Sequence, residues 1–172
     1  MRKKTVPINV GLLRSRLANF AVVSIFATVM LCCPTSTIAQ PSTGQQSTGI
    51  NPAVAIRAVL DAQAAAWNRG DVEVYMDGYD RSPNTEFVGG DSITRGWQEV
   101  LDRYKKRYDT REKMGTLTFS DLEITVLSPD AALVLGRWRL KRASDEPHGT
   151  FTLLFRKTKG GWKIVHDHTS SA

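Results

Sequence analysis

Apolar residues recur at the spacing of an α-helix in three segments of the chain. The first helix is predicted to begin at Pro52, because Asn51 is a good N-cap and proline is tolerated in the first turn. Gly70 is predicted to end it, since glycine readily adopts the left-handed backbone that follows many helices. A second helix is predicted to begin at Asp71, and a third is predicted over residues 97–108.

The spacing becomes strand-like after the third helix. Before that helix, a short hairpin is predicted over residues 85–94. After it, the apolar parity changes between Phe119 and Leu122, so a β-bulge near Ser120 and Asp121 is predicted to restore one continuous inward face. Long antiparallel strands, arranged as a meander, are predicted over residues 117–126, 131–142 and 149–157 and after the Gly160–Gly161 turn.

Two of these strands are apolar on both faces. Residues 133–135 and 151–155 place apolar side chains at both parities, so both faces of the sheet require cover. Three helices cover only one face. We therefore expect a homodimer that forms through the other face of the sheet.

The N-terminal segment has the layout of a secretory signal peptide. A basic start precedes the apolar run 17–33, and small residues lead to a predicted cleavage site after Ala39. The protein is therefore expected to be exported, to the periplasm or the medium, and to contact a membrane only if the signal stays uncleaved. Residues 40–50 are predicted to form a flexible linker, and residues 51–172 a single domain.

Removal of the signal peptide changes the charge balance. The segment contains five of the 23 Lys and Arg residues and none of the 17 Asp and Glu residues, so the mature chain is almost neutral. A nucleic-acid partner is therefore not expected. Both cysteines also lie in the signal, so no disulfide framework is expected in the domain.

The final strand carries the first candidates for chemistry. Strict alternation places His166 and His168 on the same face as Trp162 and Ile164, as an extension of an apolar stripe that suits a pocket floor. His166 and His168 are therefore the catalytic candidates, because a neutral imidazole is a good general base. They are also spaced to chelate a metal, but His148 is the only further histidine and lies before the preceding strand, so we expect no metal site.

The order of elements and several short motifs resemble the NTF2-like superfamily. Its fold is an α+β cone in which three N-terminal helices pack on a strongly curved, mixed or antiparallel sheet. The chain is most similar to small bacterial proteins of the DUF4440 and SnoaL-like kind, and its Val-His-x-His ending is similar to that of the association domain of calcium/calmodulin-dependent kinase. The resemblance is carried by Trp67-Asn68-Arg69-Gly70-Asp71, Gly136-Arg137-Trp138, Gly149-Thr150-Phe151 and the segment from Gly160 to Ser170.

This resemblance implies three alternative functions. The first is binding of a small apolar or carbonyl-bearing molecule in the cone pocket, without a cofactor and without established catalysis. The second is a lyase or isomerase reaction of the ketosteroid isomerase or SnoaL type, in which a pocket histidine acts as general base. Ketosteroid isomerases use a carboxylate base, for which Asp80 and Asp91 are candidates by region only, since each is expected to be a solvated loop acid. The third is an oligomerisation module.

In such a cone, aromatic residues are expected to line the pocket, although the same spacing is typical of core packing. Arg137 and Arg139 alternate with Trp138 and therefore leave the sheet on the opposite side from it. If that side is the pocket, the arginines favour an anionic ligand; if it is the dimer interface, they form pairs there. The basic run 105–107 is predicted to be a solvated helix end. The candidate ligand-binding residues are Tyr79, Tyr104, Trp138 and Trp67.

Overall fold

The computed structural model describes residues 50–172. The predicted signal peptide, its cleavage site and all but the last residue of the predicted linker lie outside the described residues. Within residues 50–172, none of the helices combines the length and the apolar content that crossing a bilayer requires.

The first helix begins and ends at the predicted residues, and the second begins where predicted. Helix α1 (Pro52–Arg69) is capped by Asn51, whose Oδ1 accepts a hydrogen bond of 2.9 Å from the backbone N–H of Ala53. Gly70 ends α1 with a φ of 87°, in the left-handed region that glycine adopts without strain. Helix α2 (Val72–Met76) begins after Asp71, whose carboxylate accepts from the N–H of Val74 at 3.0 Å.

The hairpin and the third helix follow, together with a short helix that the pattern did not predict. The hairpin consists of β1 (Glu86–Gly89) and β2 (Ser92–Arg95). Helix α3 (Trp97–Arg107) confirms the third predicted helix, and α4 (Arg111–Met114) is a single additional turn. The described chain therefore has four helices instead of three. The long strands are β3 (Thr116–Ser128), β4 (Ala131–Lys141), β5 (His148–Thr158) and β6 (Gly161–Thr169).

All six strands form one mixed sheet. Their order is β2-β1-β6-β5-β4-β3, and every neighbouring pair is antiparallel except β1 and β6, which are parallel. Helix α1 packs against β3 and β6, so the buried core lies between the helices and one face of the sheet. The predicted α+β cone with a curved sheet is confirmed.

The predicted bulge in β3 is present. The register between β3 and β4 shifts between Ser120 and Glu123, and Asp121 has a φ of 50°, which is unusual for a residue with a side chain. The extra residue lets Phe119 and Leu122 both pack toward the core.

A bulge in β6 was not predicted and changes the site. Leu154 pairs with His166 while Phe155 pairs with Ile164, which leaves Val165 without a partner on β5. The extra residue reverses the alternation beyond it. Asp167 therefore points into the core, where it is 4% exposed, and the prediction that His166 and His168 face the pocket is wrong.

The outer face of the sheet is partly apolar and partly charged. Leu133 and Leu135 on β4 are 37% and 45% exposed on this face. Arg137 and Arg139 continue the same alternation, and their guanidinium groups approach the carboxylates of Asp121 at 3.2 Å and Glu146 at 3.5 Å. The question of which way these arginines point is thus answered, since both lie on the face opposite the helices.

Candidate functional site

A cavity of about 270 Å³ lies between the helices and the inner face of the sheet. Its volume is close to the lower end of small-molecule sites, which span roughly 300–1,000 Å³. The walls are mostly aromatic and aliphatic, and polar groups are concentrated at one end and at the rim. The four candidate ligand-binding residues, Trp67, Tyr79, Tyr104 and Trp138, all line the cavity; their contact with a ligand stays a prediction.

Trp67 forms the fixed centre of the aromatic wall. It is 2% exposed, and its indole Nε1 donates a hydrogen bond of 3.0 Å to the carbonyl of Met114. Its ring meets those of Tyr75 and Tyr108 edge to face, with centroids 5.1 and 4.8 Å apart. Such pairs are favourable and restrict ring motion, so this wall is formed before any ligand arrives.

Tyr104 and Trp138 form other parts of the wall. The ring of Tyr104, which is half-buried, lies 5.3 Å from that of Tyr75 and 5.7 Å from that of Phe87. On the sheet, the indole of Trp138 donates a hydrogen bond of 2.9 Å to the carbonyl of Ser170. This contact fixes the C-terminal segment against the rim.

The polar end of the cavity is built around Asp167. Its Oδ2 accepts a hydrogen bond of 2.6 Å from the hydroxyl of Tyr79, and its Oδ1 accepts one of 2.7 Å from Thr169. Backbone hydrogen bonds join the segment that contains Tyr79 to strand β6, which contains Asp167. The N–H of Ile164 donates to the carbonyl of Gly78 at 2.9 Å, and the carbonyl of Ile164 accepts from the N–H of the residue after Tyr79. Tyr79 and Asp167 are therefore held opposite each other by the backbone.

Burial controls the protonation of this cluster. Desolvation raises the pKa of Asp167, although the hydrogen bonds from Thr169 and Tyr79 act in the opposite direction. Desolvation also raises the pKa of Tyr75, Tyr79 and Tyr104, and the negative charge of Asp167 raises each of them further. The result is a set of neutral hydroxyls around a carboxyl group that is more basic than an exposed aspartate.

The two histidines lie on the other side of the sheet. The ring Nδ1 of His166 is 3.0 Å from Glu86 Oε2, and Glu86 Oε1 also accepts a hydrogen bond of 2.8 Å from Arg95. Those two partners lower the pKa of Glu86. His168 is exposed. In the part of the chain that the structure describes, no three His, Cys, Asp or Glu side chains come together as a metal site.

Sequence reasoning missed Asp167 because it assumed unbroken alternation along the last strand. The carboxylates it did consider, Asp80 and Asp91, do not line the cavity. The only signal in the sequence is the pair of adjacent apolar residues Ile164 and Val165, which is compatible with a bulge there but also with a strand that is apolar on both faces. The basic run 105–107 is the exposed last turn of α3, as predicted, and its last residue, Arg107, also lines the cavity.

Comparison with known proteins gives a consistent fold. A family model described as a SnoaL-like domain matches residues 56–172. An NTF-2 like protein of unknown function from Shewanella oneidensis MR-1 is 43% identical, with 70% of this chain and 99% of that one covered and a TM-score of 0.67. Curated proteins give no match.

Two more distant structures show the fold alone. A ketosteroid isomerase-like protein from Erwinia carotovora atroseptica SCRI1043 is 21% identical, covering 69% of this chain and 94% of that one, with a TM-score of 0.56. An NTF2-like superfamily protein from Salmonella enterica serovar Typhimurium is 20% identical, covering 70% and 92%, with a TM-score of 0.55.

Proposed function

The chain belongs to the SnoaL-like domain family, and from that membership and its cavity we propose that it binds a small, mainly apolar molecule that bears a carbonyl group. The aromatic walls match an apolar or aromatic ligand body. The tyrosine hydroxyls around Asp167, which belong to Tyr75, Tyr79 and Tyr104 and are called the hydroxyl cluster below, supply hydrogen bonds for one polar atom of the ligand. Preformed walls favour binding, because little side-chain freedom is lost when the ligand enters.

The observation that carries this proposal is the buried contact between Tyr79 and Asp167 inside an apolar cavity. A carboxyl group and hydroxyls at this depth need hydrogen-bond partners, and a ligand that brings one satisfies them better than a purely apolar ligand does. Tyr104 is the half-buried member of the cluster. Its hydroxyl is the donor that we assign to the ligand carbonyl oxygen.

A matched pair of probes tests the proposal. Butyrophenone and butylbenzene share a skeleton and differ by the carbonyl, and ligand-observed NMR titration gives a dissociation constant for each. We expect butyrophenone to bind more tightly, by about tenfold, which corresponds to one neutral hydrogen bond to a buried site. Tyr104→Phe is expected to remove that preference and to leave butylbenzene binding unchanged. Failure of butyrophenone to bind contradicts the proposal and leaves an assembly role as the remaining alternative.

A second candidate function is proton transfer next to the ligand carbonyl, as in an isomerase or lyase. The raised pKa of Asp167 favours it, because a carboxylate that is more basic than usual is a better general base at neutral pH. In this scheme Asp167 takes a proton from the carbon beside the carbonyl, and a tyrosine hydroxyl stabilises the enolate oxygen. Asp167 replaces the histidines in this role, since they lie outside the cavity.

Deuterium exchange separates the two functions. If the protein is a proton-transfer catalyst, it accelerates exchange of the protons next to the butyrophenone carbonyl in D₂O, and Asp167→Asn abolishes the acceleration. If it only binds, exchange in the presence of the wild-type protein equals the rate in buffer, although the ketone is bound. His168→Ala is the control, because its side chain is on the other face of the sheet.

We also propose that the chain is exported and forms a homodimer. Export is supported by the basic and apolar N-terminal pattern that ends at Ala39. N-terminal sequencing of the protein purified from its host tests it, and a start at Gln40 is the expected result. Dimerisation is supported by the exposed leucines of β4, which leave an apolar patch on the outer face.

A further inference from the structure

We infer that the ligand carries an anionic group, such as a carboxylate, which Arg103 and Arg107 bind at the rim of the cavity. This inference rests on the proposed function and specifies its ligand class. It does not involve the hydroxyl cluster directly, so it can fail while carbonyl binding stands.

The position of these arginines is set by helix α3. Arg103 and Arg107 are four residues apart and therefore lie on the same side of the helix, and both line the cavity. Arg103 is half-buried and Arg107 is exposed. They thus occupy the solvent side of the cavity, whereas Asp167 is deeply buried.

Both guanidinium groups are oriented without being neutralised. Arg103 Nη1 donates to Thr94 Oγ1 at 3.3 Å, and its guanidinium carbon lies 5.1 Å from the centre of the Phe87 ring. The guanidinium carbon of Arg107 lies 5.8 Å from the ring centre of Tyr108. Among residues 50–172, neither arginine has a carboxylate within 4 Å.

This lack of a carboxylate partner distinguishes them from nearby cations of the same region. Lys105 on the same helix pairs with Glu73, and Arg95 on the neighbouring strand pairs with Glu86. A guanidinium group has five N–H donors, so most donors of Arg103 remain available to a ligand. An anion that accepts two of these hydrogen bonds is attracted by the positive charge and is also held in one orientation.

Gly89 brings the backbone of β1 close to Arg103. Gly89 lines the rim, and a Cβ atom there would lie 2.9 Å from the Phe87 ring and 3.6 Å from Arg103 Nη2. A Cβ atom at Gly90 would meet nothing within 4 Å. A side chain at position 89 would therefore crowd the Phe87 ring and the Arg103 guanidinium, and glycine keeps a side chain out of this part of the rim.

The two ends of the cavity fix the orientation of the ligand. Asp167 is the only carboxyl group among the described residues that line the cavity, and an anion placed beside it would be repelled. The anionic group therefore stays at the rim with the arginines, and the carbonyl group reaches the hydroxyl cluster. The ligand class is an amphipathic keto acid with an apolar body, in which apolar carbons separate the carbonyl group from the carboxylate.

One further probe tests this inference. 3-Benzoylpropanoate has the skeleton of butyrophenone with a carboxylate in place of the terminal methyl group. We expect the wild-type protein to bind it at least about tenfold more tightly than butyrophenone, as one charge-assisted contact allows. This preference should decrease as salt is added. The double variant Arg103→Gln/Arg107→Gln should bind 3-benzoylpropanoate and butyrophenone with equal affinity, so that the preference is lost.

The control is the double variant Arg137→Gln/Arg139→Gln, which removes the same charge from the outer face. It should keep the preference for 3-benzoylpropanoate. Equal binding of the two probes by the wild type, or a preference that survives in Arg103→Gln/Arg107→Gln, overturns the inference and leaves the proposed function intact. Failure of both probes to bind overturns the proposed function and the inference with it.

Discussion

The hydroxyl of Tyr79 donates a hydrogen bond of 2.6 Å to the carboxyl group of Asp167, across 88 positions of sequence. The contact joins the segment after α2 to the last strand at the inner end of the cavity. Both side chains are almost fully buried, so bulk solvent has little access to the contact. It therefore contributes to the fold and defines the polar end of the candidate site.

Tyr79→Phe tests the structural part of this contact. Removing the hydroxyl leaves a buried carboxyl oxygen without its donor, which should lower the free energy of unfolding by about 1–3 kcal/mol. Urea unfolding followed by tryptophan fluorescence measures it. Tyr108→Phe is the control, because its ring also packs on Trp67, and it should change stability by less than about 0.5 kcal/mol. Equal effects of the two substitutions would contradict the account.

Asp167→Asn tests the pH dependence. Because burial raises the folded-state pKa of Asp167, the folded protein binds more protons than the unfolded chain between the ordinary pKa of 3.8 and the raised value. The free energy of unfolding contributed by this group is therefore full below 3.8 and is lost as pH rises through the folded-state pKa.

The asparagine variant lacks this titration, so its stability relative to wild type should increase across that window. Unfolding in urea at a series of pH values measures the difference. Glu86 and Asp130 have lowered pKa values, which act in the opposite direction, but they are present in both proteins and cancel in the comparison. A difference that does not vary with pH would show that the pKa of Asp167 is not raised.

Substitution of the histidines should leave the site intact. His166→Ala and His168→Ala change side chains on the outer face, so both variants should bind butyrophenone with the affinity of the wild type. His166→Ala also removes the contact with Glu86, and because that contact is partly exposed, its loss should change stability little. NMR titration and urea unfolding measure the two quantities. A large loss of binding in His168→Ala would contradict the position of this imidazole outside the cavity.

Gly149→Ala tests the close approach of β5 to the C-terminal segment. An added Cβ atom would overlap the carbonyl of Ser170, the group that also accepts from Trp138. We expect a loss of about 1–3 kcal/mol and a change in tryptophan fluorescence. Gly160→Ala is the control, because a Cβ atom there meets neighbours only at 3.6 Å and beyond. Similar losses for both variants would contradict the packing described.

Leu133→Asp tests the homodimer. A charge on the outer face of β4 should shift the protein toward the monomer in sedimentation equilibrium without unfolding it. Val54→Asp places the same charge on an exposed residue of α1, on the helical side, and should leave the mass unchanged. A wild-type protein that is monomeric at all concentrations would rule out the dimer.

The elements of the fold could be predicted from the sequence because each is determined locally. Asn51, Gly70 and Asp71 act at helix ends, where their chemistry satisfies backbone groups whatever the rest of the chain does. The bulge at Asp121 was also predictable, because a polar pair interrupts the apolar parity there. The single turn α4 has too few residues to show a period.

The bulge at Val165 could not be placed in the same way, because an apolar residue beside Ile164 fits a bulge and a two-faced strand equally well. A one-residue shift moves every later side chain to the other face. The bulge therefore turns His166 and His168 away from the cavity and turns Asp167 into it. The aromatic residues were predicted to line the cavity because their size brings them there, whereas Arg107 looks like any cation at a helix end.

The most direct test of the central claim is the carbonyl ¹³C chemical shift of labelled butyrophenone bound to the protein. A hydrogen bond to the carbonyl oxygen moves this signal downfield from its position in an apolar solvent. We predict a downfield shift in the wild-type complex and a smaller one in Tyr104→Phe. A bound ketone whose carbonyl signal stays at the apolar-solvent position would contradict the claim that the hydroxyl cluster recognises a ligand carbonyl.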